Sequence, residues 1–232
     1  LFNQGRIFTP YWTETVVISP GLAGGANWPP SAVDPTRGQM FICAADRPMT
    51  FKTEEISAES PEPGTFYTGG AIGGYPLWNL GMFAAMDLRT NTIAWQRRWQ
   101  EPCNSGVTAT AGDLLFVGRN DGRLTALDAD NGNILWQFQT GAGMNAPVTV
   151  FEHKGIQYVL GYSGGNTLGG SGKGDSMWLF SLDGTVEEAL PPGSQQATAL
   201  VKAAAGGTPD LAAGRQTFNT ICAACHGEDG RG

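Results

Sequence analysis

An all-β fold assembled from propeller blades is predicted by three features. These are one complete set of four hairpin-linked strands, a repeat of that set, and a turn-rich composition. The set runs from Asn104 to Thr140. Its strands are Val107–Ala109, Leu114–Gly118, Arg123–Asp128 and Asn133–Gln139. The turns are Ala111-Gly112-Asp113, Arg119-Asn120-Asp121-Gly122 and Ala129-Asp130-Asn131-Gly132. An Asp-Gly pair suits the positive-φ positions of a tight hairpin. Four short strands joined this way describe one blade, and such a sheet needs neighbours to cover its faces and edges. The repeat supplies a neighbour. Ala126-Leu127-Asp128 is followed by Gly132 and Trp136, and Ala85-Met86-Asp87 by Asn91 and Trp95. Both fit A-x-D-x-x-x-[GN]-x-x-x-W. The two tryptophans are 41 residues apart, as are Asn104 and Asn145, which open successive units. A period near forty is a propeller period. Each Trp is expected to be buried on the face of the adjacent blade, with the small Ala leaving room for its ring. Thirty-four Gly and fourteen Pro among 232 residues complete the turn-rich picture.

Taken in order, residues 1–60 read as the end of one blade and half of the next. Arg6–Pro10 and Thr13–Ser19 are candidate strand and loop, and the second run has the period-2, β-branched character of a strand. Gly21 to Pro30 is a glycine-rich loop that permits close approach of backbone to a ligand or another segment. Ala32-Val33 and Gln39–Ala44 form a hairpin around Asp34 to Gly38. Lys52–Thr65, polar and acidic, reads as a surface insertion, and Gly81–Asp87 and Thr92–Gln96 finish the blade. A third unit follows: a hairpin of Val148–His153 and Ile156–Tyr162, a glycine-rich loop from Gly164 to Gly174, and a strand Met177–Leu182, with no Trp-bearing fourth strand after it. That makes about three blades, whereas closure takes roughly four to eight. The propeller portion is therefore assigned to residues 1–184, and the remaining blades are expected from other sequence. Leu1 falls inside a pattern, so the natural start is expected upstream.

Residues 185–207, rich in Pro, Ala, Gln and Gly, read as a linker. A helix is then expected with Thr208 as N-cap and Pro209 at its first position, running through Leu211–Thr220. It leads into Cys222-Ala223-Ala224-Cys225-His226. C-x-x-C-H is the attachment signal for c-type haem. Two thiols add to the two vinyl groups of one porphyrin, and the adjacent imidazole ligates the iron. A zinc site would need further ligands, and only His153, Cys43 and Cys103 remain. A thioredoxin-like redox pair would need a βαβ context. Residues 208–232 are thus read as the start of an α-helical cytochrome c domain. For Cys43 and Cys103 two readings stand: a disulfide, which an oxidising compartment would favour, or two separate buried thiols. Net charge −7 argues against a nucleic-acid partner. No run of about eighteen apolar residues appears.

These motifs together resemble the quinohaemoprotein alcohol dehydrogenases. The residues carrying the resemblance are Gly24 to Pro30, the two Trp motifs, Ala109 to Phe116, Gly141 to Thr149, and Cys222 to His226. The resemblance implies an eight-bladed propeller that binds pyrroloquinoline quinone (PQQ) and Ca²⁺, followed by a cytochrome c domain. It implies a periplasmic enzyme that oxidises an alcohol and passes electrons from PQQ to haem c and on to a downstream acceptor. It also implies that Asn27 and Trp28 contact the quinone. Asn104 and Asn145 extend that idea, because all three Asn open loops entering the first strand of a unit. Capping of strand-entry turns is the plainer role for those side chains. The family's catalytic Asp and Ca²⁺ ligands have no counterpart here, so their ligands are expected outside this sequence. Where many relatives carry a Trp after the glycine pair at 164–165, this chain has Asn166-Thr167-Leu168. A non-catalytic propeller scaffold and an electron carrier are the competing readings. The haem module is expected over the face bearing the three Asn loops, since the linker reaches about 75 Å when extended.

Overall fold

The computed structural model describes residues 9–54, 67, 69–75, 78–166, 169–192 and 210–223. They form four antiparallel sheets and one helix. Three sheets are successive blades. The first joins β2 (Ala32–Asp34), β3 (Gln39–Asp46), β6 (Leu80–Asp87) and β7 (Thr92–Trp99) in that order. The second joins β8 (Val107–Ala109), β9 (Leu114–Gly118), β10 (Arg123–Asp128) and β11 (Ile134–Gln139). The third has three strands, β12 (Thr149–His153), β13 (Ile156–Ser163) and β14 (Ser176–Phe180). The fourth sheet is not a blade. It joins β1 (Val16–Ile18), β4 (Met49–Thr53) and β5 (Gly70–Gly74), and most of it interrupts the first blade between β3 and β6. Lys52 and Thr53 therefore belong to a paired strand rather than to a surface insertion; residues 55–66 lie outside the described set.

The repeated motif has a physical basis at each position. Asp87 and Asp128 end the third strand and accept backbone N–H bonds from the turn, Asp87 from Arg89 and Thr90, Asp128 from Asp130. Asn91 and Gly132 take the left-handed conformation, φ 56° and 70°, which favours Gly and Asn. Ala85 pairs directly with Trp95, and Ala126 with Trp136. A register shift follows both alanines, between Ala85 and Met86 and between Ala126 and Leu127.

Packing between blades is unequal. The seam of the first and second buries Phe41, Phe83, Ala85 and Trp99 against Leu115, Val117, Leu127 and Ala129. Trp95 crosses it and donates its indole N–H to Ala129 O at 3.0 Å. A side chain at Gly132 would collide with the Trp95 ring at 2.6 Å, so that position needs Gly for space as well as for φ. Arg97 donates to Gly132 O, and Arg37 bridges to Asp113 and Asp130 of the neighbouring turns. The second seam is smaller: Phe116, Leu124 and Ala126 meet Met144, Val148, Val159 and Phe180. There Trp136 stays 40% exposed, against the expectation of burial, although it still meets Phe180 edge-on at 5.5 Å. The third sheet has no fourth strand among the described residues, so it covers less of that ring.

Cys43 and Cys103 form a disulfide, with Cα atoms 5.3 Å apart. It ties β3 to the segment entering the second blade. After β14 the chain remains attached to the blades, with Ala189 N donating to Gln139 O at 2.9 Å. Residues 196–232 are a separate compact unit. In it, α1 (Leu211–Thr217) continues into a π-helical turn, Phe218–Cys222. The N-cap is Asp210 rather than Thr208: its Oδ1 accepts from Ala212 N and Ala213 N at 3.0 and 2.9 Å. A carboxylate is a stronger acceptor for orphan helix N–H groups than a hydroxyl, and carries favourable charge there. No described helix is long and apolar enough to cross a membrane.

Candidate functional site

Neighbouring strands run antiparallel, so in each blade the entry to the first strand and the link from second to third lie at one end of the sheet. That end carries the loops before β2, β8 and β12. It also carries the described residues of the links from β3 to β6 and from β13 to β14, and the turn Arg119 to Gly122. The three entry loops are pressed together. Val107 N donates to Pro30 O at 3.0 Å, Ser105 Oγ to Ala146 O at 3.2 Å, and Thr108 Oγ1 to Val148 O at 2.6 Å. Gly106 sits between Pro30 and Pro147, and a Cβ there would lie 2.7 and 2.8 Å from their rings. Glycine is what lets the three loops converge.

Two of the sequence-predicted residues meet at this end. Asn145 Nδ2 donates to Asn120 Oδ1 at 2.5 Å, and Asn104 Nδ2 to the same oxygen at 3.4 Å. Asn120 Nδ2 donates in turn to Gly169 O at 2.9 Å. Ser171 Oγ donates to Asn145 Oδ1 at 2.7 Å. Asn27 and Trp28 share the face but not the cluster. Asn27 Nδ2 donates to Ala23 O of its own loop, and Trp28 is 92% exposed. Cys222 lies in the π-helical turn, and Cys225 and His226 lie outside the described residues.

Beside the asparagines opens a cleft of about 520 Å³, lined among others by Arg47, Tyr75, Trp78, Glu101, Asn120 and Asp121. Trp78 meets Tyr75 edge-on at 5.4 Å and donates its N–H to Asp46 Oδ1 at 3.0 Å. Below it Arg119 is almost fully buried. Its guanidinium lies 4.6 Å from the Trp99 ring centre, bonds Glu101 Oε1 from Nε at 2.7 Å and again from Nη2, and reaches Asp121 at 3.6 Å. A buried cation held between carboxylates and an aromatic face is compensated, so Arg119 fixes the Glu101 loop. Sequence reasoning missed Asn120, Trp78, Glu101 and Arg119. Asn120 and Arg119 stand in a hairpin whose Asp-Gly accounts for the turn alone, and nothing local marked them as buried.

The fit to an anionic o-quinone is testable on these side chains. Each Asn amide has two N–H donors. Asn104 and Asn145 each use one on Asn120, and among the described residues the second has no partner, which leaves it for a carbonyl or carboxylate oxygen. For a metal ion the fit fails among the described residues, where no three His, Cys, Asp or Glu gather.

Successive antiparallel sheets of four, four and three strands, with entry loops converging at one end, define a partial β-propeller. Residues 81–205, more than half of the chain, match the PQQ_2 family model, described as outer membrane protein assembly factor BamB. The chain is 33% identical over 183 residues to a quinoprotein ethanol dehydrogenase of Pseudomonas aeruginosa, covering 73% of this chain and 29% of that protein. It is 29% identical over 234 residues to quinohemoprotein alcohol dehydrogenase ADH IIB of Pseudomonas putida, covering 94% and 34%. Among solved structures, the quinohemoprotein alcohol dehydrogenase of Comamonas testosteroni superposes with a TM-score of 0.67 at 25% identity, over 93% of this chain and 34% of that one. The chain belongs to the PQQ-dependent quinoprotein and quinohaemoprotein alcohol dehydrogenase family, and spans about a third of the length of these relatives.

Proposed function

We propose that this chain is the electron-exit part of a periplasmic enzyme that oxidises an alcohol to an aldehyde or ketone with PQQ and passes the electrons to haem c. The observation that carries the reading is the convergence of Asn104 and Asn145 on the loop face. When bound, PQQ supplies a two-electron oxidising quinone that accepts hydride from the alcohol carbon. Asn104 and Asn145 would hold its oxygens with their second N–H groups, while Asn27 and Trp28 flank the same face. No described residue is assigned to Ca²⁺, and the catalytic base is expected in the remaining blades. Cys222 and Cys225 would carry the haem through thioethers, and His226 would be its iron ligand.

The covalent haem gives the clearest test. The protein should be red, with a reduced c-type spectrum that survives acid-acetone extraction, and replacing Cys222 and Cys225 by Ala should abolish the covalent colour. A colourless protein carrying one zinc per chain would overturn the haem assignment and favour the scaffold reading.

A further inference from the structure

Asn120 ties three segments of the loop face together. It is buried to 6% exposure in the turn after β9, a hairpin whose turn needs only Asp121-Gly122. Its oxygen accepts from Asn104 and Asn145, which belong to two different entry loops, and its nitrogen donates to Gly169 O in a third. The third loop is closed on itself around the same point. Gly169 N donates to Asn166 Oδ1 at 3.0 Å, Asn166 N to Ser171 Oγ at 2.7 Å, and Ser171 Oγ to Asn145 Oδ1 at 2.7 Å. Gly169 lies so close that a Cβ would stand 2.8 Å from Asn104 Nδ2. Three loops from two blades are thus registered by both ends of a single side chain.

We propose that Asn120 is a positioning residue: its Oδ1 aims the free N–H groups of Asn104 and Asn145, and its Nδ2 clamps Gly169 beside them. The proposal deepens the quinone-site reading above and rests on it only for the ligand. The two ends make separate bonds, so they can be separated by mutation. Asn120→Asp keeps an acceptor for Asn104 and Asn145 but loses the donor and sets a carboxylate against the Gly169 carbonyl. Asn120→Ala loses both. Asn131→Ala, in an exposed turn of the same blade, is the control.

The experiment uses three readouts: residue-resolved hydrogen exchange at the Gly169 and Ser171 amides, side-chain NH₂ resonances of Asn104 and Asn145, and, in the complete enzyme, PQQ titration in CaCl₂ followed by tryptophan fluorescence. Asn120→Asp should speed exchange at Gly169 and Ser171 about tenfold or more, as a locally opened segment does. It should leave the Asn145 NH₂ shifted and slowly exchanging as in the parent. Asn120→Ala should lose both signatures and weaken PQQ binding about tenfold, while Asn131→Ala changes none of them. Unchanged loop exchange in Asn120→Asp overturns the clamp. A native-like Asn145 NH₂ signal in Asn120→Ala overturns the aiming role. If Asn120→Ala does not fold, Asn120→Ser, too short to reach either partner, takes its place. Failure of the complete parent enzyme to bind PQQ would count against the quinone reading alone, since the exchange and NH₂ arms judge Asn120 without ligand.

Discussion

Trp95 and Trp136 hold the same place in the same motif, and their surroundings differ. Trp95 lies over Gly132 and bonds Ala129 O, whereas Trp136 meets Phe138 and Phe180 and stays 40% exposed. Trp95→Ala should therefore destabilise by about 3 kcal/mol, as removal of a packed aromatic does. Trp136→Ala should cost less, about 1 kcal/mol, in the same urea unfolding experiment. Equal losses would contradict the unequal seams. Asp87 supplies a second test. The Arg89 guanidinium, then the backbone N–H groups of Arg89 and Thr90, hold its carboxyl down at about 2. A folded-state value below the unfolded one gives stability that is complete above the unfolded pKa near 4 and is lost as pH falls through about 2. The Asp87 carboxyl ¹³C signal should still be that of the ionised form at pH 3, and a midpoint near 4 would refute the turn geometry.

At the scale of elements, the disulfide and the entry loops stand out. The Cys43–Cys103 bridge closes 60 residues, for which chain entropy alone gives about 4 kcal/mol. Replacing both cysteines by Ser should lower the unfolding free energy by roughly that amount, and an unchanged urea midpoint would show that the bridge does not constrain the unfolded chain. Gly106→Ala should cost about 1–3 kcal/mol, because the Pro30 and Pro147 rings leave no room for a methyl group. The strands of the blades were legible from the sequence because their turn residues are local signals: Asp121-Gly122, Asp128 with Gly132, Asp87 with Asn91. Of the sheet of β1, β4 and β5, the strand character of β1 was legible, but its pairing was not. Val16–Ile18 pairs with residues more than thirty positions away, and Gly70-Ala71-Ile72-Gly73-Gly74 has a composition that disfavours strands. The loop asparagines were read from their places before first strands. Asn120, which joins two of them, was hidden because its partners are distant in sequence.

For the whole molecule, three blade sheets and a C-x-x-C-H motif stand in one chain, the combination that the proposed electron path from quinone to haem would use. The relatives that this chain matches are alcohol dehydrogenases, about a third of whose length it spans; in the function proposed above, alcohol oxidation lies upstream of that path. The most direct measurement is stopped-flow reduction of the haem by a primary alcohol in the complete enzyme loaded with PQQ and Ca²⁺. The account predicts that alcohol reduces the haem, that Cys222→Ala with Cys225→Ala abolishes the haem signal, and that those variants still reduce PQQ with alcohol. A haem that dithionite reduces but alcohol plus PQQ does not would contradict it.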